Sequence, residues 1–106
     1  MPKLEQLLEL LKAEPEDGFL RYGVAMAYMK EGRYDEAIRE FEELIRRDPA
    51  YVAAYFMGGR ALQQKGDLAK ARETYERGIA AAKKAGDNHA ASEISDALNL
   101  LEQVMK

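Results

Sequence analysis

The chain matches itself at a spacing of 34 residues, and this period constrains its fold more than any other feature. Ala27 falls on Ala61, Gly32 on Gly66, Ala37 on Ala71, Glu42 on Glu76 and Ile45 on Ile79. Similar residues align as well: Tyr22 with Phe56, Tyr28 with Leu62, Tyr34 with Leu68 and Phe41 with Tyr75. The register extends backwards, placing Pro49 on Pro15, Phe41 on Leu7, Leu44 on Leu10 and Ile45 on Leu11. A period of this length marks a stacked array, in which one unit cannot bury its apolar face alone but neighbouring units can.

The units are helical. Ala, Leu, Glu, Lys and Arg dominate, only three prolines occur, and no stretch alternates with period two for long. A first helix is expected over Pro2 to about Lys12, with Leu4, Leu7, Leu8 and Leu11 on one face and Pro15 closing it. A second runs from about Glu16 or Asp17 to Glu31 and stops at Gly32. A third covers about Tyr34 to Arg47. A fourth covers Pro49 to Lys65, with Asp48 as its cap, Pro49 in its first turn and Gly66 as its stop. A fifth spans Leu68 to about Ala85, capped by Asp67 and ended by Gly86. The sixth, capped by Asp87 or Asn88, carries the stripe Ile94, Leu98, Leu101, Met105. Connections of two to four residues require antiparallel neighbours. Ala27, Ala61, Ala37 and Ala71 mark close helix approach, and Phe41 and Tyr75 fill the space between helix pairs. Gly58 and Gly59 lie inside the fourth helix, where glycine is costly. They mark unusually close helix contact or an approach of a ligand to the backbone, and packing is the favoured reading.

Tyr28, Gly32, Tyr34, Ala37, Phe41 and Pro49, followed by Leu62, Gly66, Leu68, Ala71 and Tyr75, resemble the tetratricopeptide repeat. The resemblance implies an all-α, right-handed α-α superhelix in a single domain over 1–106. It comprises an N-terminal half-repeat helix (1–15), two repeats (16–49 and 50–83) and a C-terminal capping helix (87–106). The sequence departs from the pattern at Arg21, where the family usually has tryptophan, with Tyr55 the nearest match in the next repeat. Lys83 replaces the second closing proline. Ser92, Glu93 and Asp96 stand where the repeats are apolar, so the sixth helix is expected to turn a polar face to water.

In such a solenoid the first helices of successive repeats line the concave side, and the resemblance therefore implies a protein-binding groove there. Phe19, Tyr22, Met26, Met29 and Lys30 are its candidates on the second helix. Phe56, Arg60, Gln63 and Gln64, with Met57 nearby, are the candidates on the fourth. Aromatics and arginine often dominate binding energy, and methionine adapts to varied apolar ligands. A stripe at helical spacing is also what a core looks like, and Tyr22 and Met57 read equally well as packing residues. The family's clamp for an acidic chaperone tail needs lysines and asparagines on this face. Tyr22 and Met26 hold those places, leaving Arg60 and Lys30 as carboxylate contacts for an apolar or amphipathic segment. The competing reading is a homodimeric structural unit built on Leu8, an apolar residue where the repeats have Glu42 and Glu76.

Other function classes have no support. A net charge of -3 provides no basic face for nucleic acid. The absence of cysteine excludes disulfides and thiolate metal sites. No apolar run approaches a membrane span. Met1-Pro2-Lys3 leads into an acid-containing amphipathic stretch without a secretory signal, so a cytoplasmic location is expected. His89 lacks partner ligands at metal spacing, and the carboxylates read as surface partners of Arg33, Arg39, Arg46 and Arg47. The expectation is a protein or peptide partner, no cofactor, no metal and no catalysis.

Overall fold

The computed structural model describes residues 3–106, which form α1 (Leu4–Ala13), α2 (Gly18–Lys30), α3 (Tyr34–Arg47), α4 (Val52–Lys65), α5 (Leu68–Lys84) and α6 (Asn88–Met105). Pro2, expected in the first helical turn, lies outside the described residues. There is no strand among the described residues, and none of their helices is long and apolar enough to cross a membrane. Each helix packs on the next one in the chain, giving an elongated body of 41 × 29 × 22 Å.

Local chemistry sets the turns. Gly32, Gly66 and Gly86 follow α2, α4 and α5 with φ of +74°, +97° and +75°, a conformation that a side chain would strain. Asp17, Asp67 and Asp87 cap α2, α5 and α6, each accepting from the backbone N–H three residues on. The prolines behave differently from expectation. Pro49 does not open α4; the Asp48 carboxylate accepts the Ala50 N–H and its carbonyl the Tyr51 N–H, so the chain completes a turn before Val52. Pro15 occupies the matching turn, closed by Asp17 N–H on the Glu14 carbonyl, and α2 begins at Gly18.

Small residues bring the helices together. Ala37, Ala61 and Ala71 are fully buried as expected, but Ala27 is only half-buried, and the fully buried alanine of α2 is Ala25; Phe41 and Tyr75 are the largest fully buried side chains. A Cβ on Gly59 would stand 2.3 Å from Cε1 of Tyr75, and one on Gly58 3.3 Å from Cβ of Phe41. The two glycines therefore mark close packing. Gly78 plays the same part on α5, against Cβ of Tyr55 at 2.6 Å.

Arg21 occupies the tryptophan position as a buried side chain. It donates to Glu40 Oε1 at 2.7 Å and to the Pro15 carbonyl at 3.1 Å. Thirty-four residues on, Tyr55 Oη donates to the Pro49 carbonyl at 2.7 Å, so two unlike side chains tie the same point of each repeat. Glu40, one of the carboxylates read as surface partners of Arg33, Arg39, Arg46 and Arg47, is thus a partner of Arg21 across the helix pair.

Two apolar faces differ from expectation. Leu4 and Leu11 are buried and Leu8 is half-buried against the core, so Leu8 is not a free patch. Leu10 is the exposed leucine of α1, because α1 packs chiefly on α2. On α6, Ile94 and Leu101 are buried as predicted. Leu100 and Val104 are exposed, and the outer face is not wholly polar.

Glu43 receives both Arg46 and Arg47, and these hydrogen bonds hold its carboxyl down to about 2. A depressed acid contributes stability above its unfolded value, and the contribution fades as pH falls through its folded value. The pair is solvent-exposed and screened, so its contribution is small. In a carboxyl NMR titration Glu43 is expected to stay ionised until about pH 2; a midpoint with the ordinary glutamates would contradict the pairing.

Candidate functional site

α2 places its candidates by helical spacing along one side. Phe19 is 80% exposed, Lys30 is exposed, and Tyr22, Met26 and Met29 are half-buried against the core. The Tyr22 ring meets Phe41 edge-on at 6.0 Å and Tyr51 at 5.8 Å, so it is both surface and packing. Burial, helped by Tyr51, pushes its phenol up from the usual range.

α4 carries the second set of candidates. Phe56 lies 6.5 Å from the Tyr75 ring, Met57 and Gln63 are half-buried, and Arg60 and Gln64 are exposed. Tyr75 Oη donates to Gln63 Oε1 at 3.0 Å, which leaves the Gln63 amide N–H groups as the free part of that side chain. Burial pushes the Tyr75 phenol up, and the Arg60 charge opposes that shift, which puts the guanidinium within electrostatic reach of the ring. Neither Arg60 nor Lys30 takes part in an ion pair among the described residues.

Between α4 and α6 a cleft of about 280 Å³ is lined by Phe56, Arg60, Gln63, Gln64, Tyr75, Ala97 and Leu100. The structure thus brings together Phe56, Arg60 and Gln63, while the α2 residues and Met57 lie outside this cleft. Ala97 and Leu100 were not legible as lining this cleft, because α6 departs from the repeat and its core stripe draws attention to Leu98 and Leu101. The spacing of Leu100 and Val104, apolar and off that stripe, is the signal that could have found them. The arrangement presents an apolar floor edged by hydrogen-bond donors. No group of three or more His, Cys, Asp or Glu residues is placed to hold a metal among the described residues. His89 stands exposed, 3.5 Å from Glu93.

A sequence profile described as tetratricopeptide repeat matches residues 4–38 and 22–88. The chain is a tetratricopeptide-repeat protein. This repeat protein is 32% identical over 100 residues to a TPR repeat-containing protein of Pseudomonas aeruginosa, covering 94% of the chain and 95% of the relative. It superposes with a TM-score of 0.80 on a tetratricopeptide repeat domain protein from Salinibacter ruber, at 34% identity, over 85% of this chain and 91% of that one. The TPR2B domain of yeast Sti1, whose structure is a complex with pHsp70, matches with a TM-score of 0.88 at 26% identity, over 94% and 80% of the two chains. The six helices therefore form a short solenoid of this family.

Proposed function

We propose that the protein is a non-enzymatic, cytoplasmic interaction module that holds a peptide or helix of a partner protein in its concave groove. Residues 16–49 and 50–83 are the two repeats, 1–15 a half-repeat and 87–106 the cap. The groove comprises Phe19, Tyr22, Met26, Met29, Lys30, Phe56, Met57, Arg60 and Gln63, extended by Leu100. The single observation behind this reading is the cleft in which Phe56 and Leu100 form an apolar floor beside an Arg60 without a carboxylate partner. Such a site suits an apolar side chain with an acidic group nearby. Nucleic acid, membrane and cofactor have no part in it. The pHsp70 complex of the Sti1 domain supports peptide binding in this fold.

Met26→Glu places a charge on the apolar wall. In a native-lysate pull-down read by mass spectrometry, it should lose a partner that wild type captures, with the helical circular dichroism unchanged. Arg60→Glu should weaken the same capture by about tenfold or more. Equal capture by both variants would reject the groove. Self-association is the second reading, favoured by the exposed Leu10 on α1 and Val104 on α6. It requires a dimer in sedimentation at tens of micromolar, roughly where weak contacts form.

A further inference from the structure

Three differences between the repeats fall together on one edge of the cleft between α4 and α6. Under the 34-residue shift, Met26, Met29 and Phe41 become Arg60, Gln63 and Tyr75. In the first repeat these positions carry no charge, no amide and no hydroxyl. The aromatic pair itself is kept, Tyr22 with Phe41 at 6.0 Å and Phe56 with Tyr75 at 6.5 Å. Its hydroxyl, however, moves from the half-buried ring on α2 to the buried ring on α5.

In its new place the hydroxyl donates to Gln63 Oε1 at 3.0 Å. A carboxamide whose oxygen is held in this way has its N–H groups left for a ligand. Arg60 precedes Gln63 by one turn of α4, so the two side chains are neighbours on the helix surface. Its guanidinium offers donors only and has no ion-pair partner among the described residues. No carboxylate lines the cleft among the described residues, and the α6 wall contributes Ala97 and Leu100. Gln64, beside them, is exposed and can present either end of its amide. Arg60 and Gln63 thus give the cleft an edge of donors with one positive charge, next to an apolar floor.

We propose that Tyr75 is a positioning residue for the groove: by fixing the Gln63 amide it makes this edge select a side-chain carboxylate of the bound segment over the matching carboxamide. This deepens the groove reading and rests on it. A carboxylate accepts from Arg60 and Gln63 at once, with charge assistance. A carboxamide of the same shape turns its own N–H groups toward donors, loses one of the two hydrogen bonds and leaves Arg60 uncompensated. The carboxylate belongs to an Asp or Glu of the partner rather than to its chain end, because Tyr22 and Met26 stand where a clamp for a chain end needs lysine and asparagine. An apolar side chain next to that acid seats on Phe56 and Leu100.

The test uses the full chain, ¹⁵N-labelled, titrated with acetyl-Leu-Glu-Phe-amide, with its Gln analogue, and with that Gln analogue ending in a free carboxylate. Binding should shift the backbone amides of Phe56 and Leu100 and the side-chain N–H signals of Gln63. The Glu peptide should bind about tenfold more tightly than either Gln peptide. Tyr75→Phe keeps the ring and should leave the helical circular dichroism unchanged. It should move the Gln63 side-chain signals of the free protein and weaken the Glu peptide by about threefold or more. Gln63→Met, the residue of the first repeat, should weaken it at least as much. The double variant should match Gln63→Met alone, because the hydroxyl acts through the amide. Equal binding of the Glu and Gln peptides, equal or tighter binding of the peptide with the free carboxylate, wild-type binding by Tyr75→Phe, or losses that add in the double variant would each overturn the proposal and leave the groove in place. No shift at Phe56 or Leu100 with any peptide would overturn it together with the groove reading.

Discussion

Tyr75→Ala is expected to lower stability by about 3–5 kcal/mol. The ring is 1% exposed, lies tilted 6.5 Å from the Phe56 ring, and its hydroxyl is tied to Gln63, so α4 and α5 have no substitute for it. The same ring explains Gly59. Alanine there would gain about 1 kcal/mol of helix propensity. Its Cβ, however, would meet Cε1, Cδ1 and Cζ of Tyr75 at 2.3, 2.6 and 3.0 Å, and overpacking of this kind costs about 1–3 kcal/mol. Gly59→Ala should therefore destabilise wild type and become neutral or stabilising once Tyr75 is leucine. Urea unfolding of the two single variants and the double variant measures this coupling. A Gly59→Ala variant as stable as wild type would mean that the helices do not meet as described.

Glu40→Thr is expected to destabilise by about 2–3 kcal/mol, because it leaves the Arg21 guanidinium buried with only the Pro15 carbonyl. Nε of Arg21 is already buried without a hydrogen-bond partner, so little remains to absorb the loss. The second repeat shows an alternative, with Tyr55 and Thr74 at the matching places and a hydroxyl reaching the matching carbonyl. Adding Arg21→Tyr to Glu40→Thr should then restore stability to near or above wild type, since replacing a buried pair by packed residues is often neutral or stabilising. Thermal unfolding of the single and double variants decides it; a double variant no better than Glu40→Thr would show that the ion pair is needed at this position.

Most of the fold was legible because it rests on local signals that recur. The glycines at 32, 66 and 86 and the aspartates at 17, 67 and 87 act within one turn of the chain, and the 34-residue register fixes which helices pair. Asp48-Pro49 was misread because the same two residues suit a helix start and a preceding turn; the carbonyl of Asp48, which no pattern reveals, selects the turn. The candidate cleft was less legible. Phe56, Arg60 and Gln63 follow from the repeat, but Leu100 comes from a helix outside it, and the role of Gln63 depends on a hydroxyl from another helix. Leu8 was misjudged by treating a difference between repeats as exposure, when exposure depends on which neighbour is present. At Leu10 no second helix covers the side chain.

Packing each helix only on its chain neighbours has a kinetic consequence. Nearly all contacts close loops of a few tens of residues or fewer, so the search for them is short and folding belongs to the microsecond-to-millisecond regime of low contact order. Openings are equally local. α1, held from one side, can detach without disturbing α4 and α5, and amide exchange should rise from slow in the middle of the chain to fast at its first helix. A partner gripping α4 would thus meet the most rigid part of the molecule, while α1 remains free to come and go.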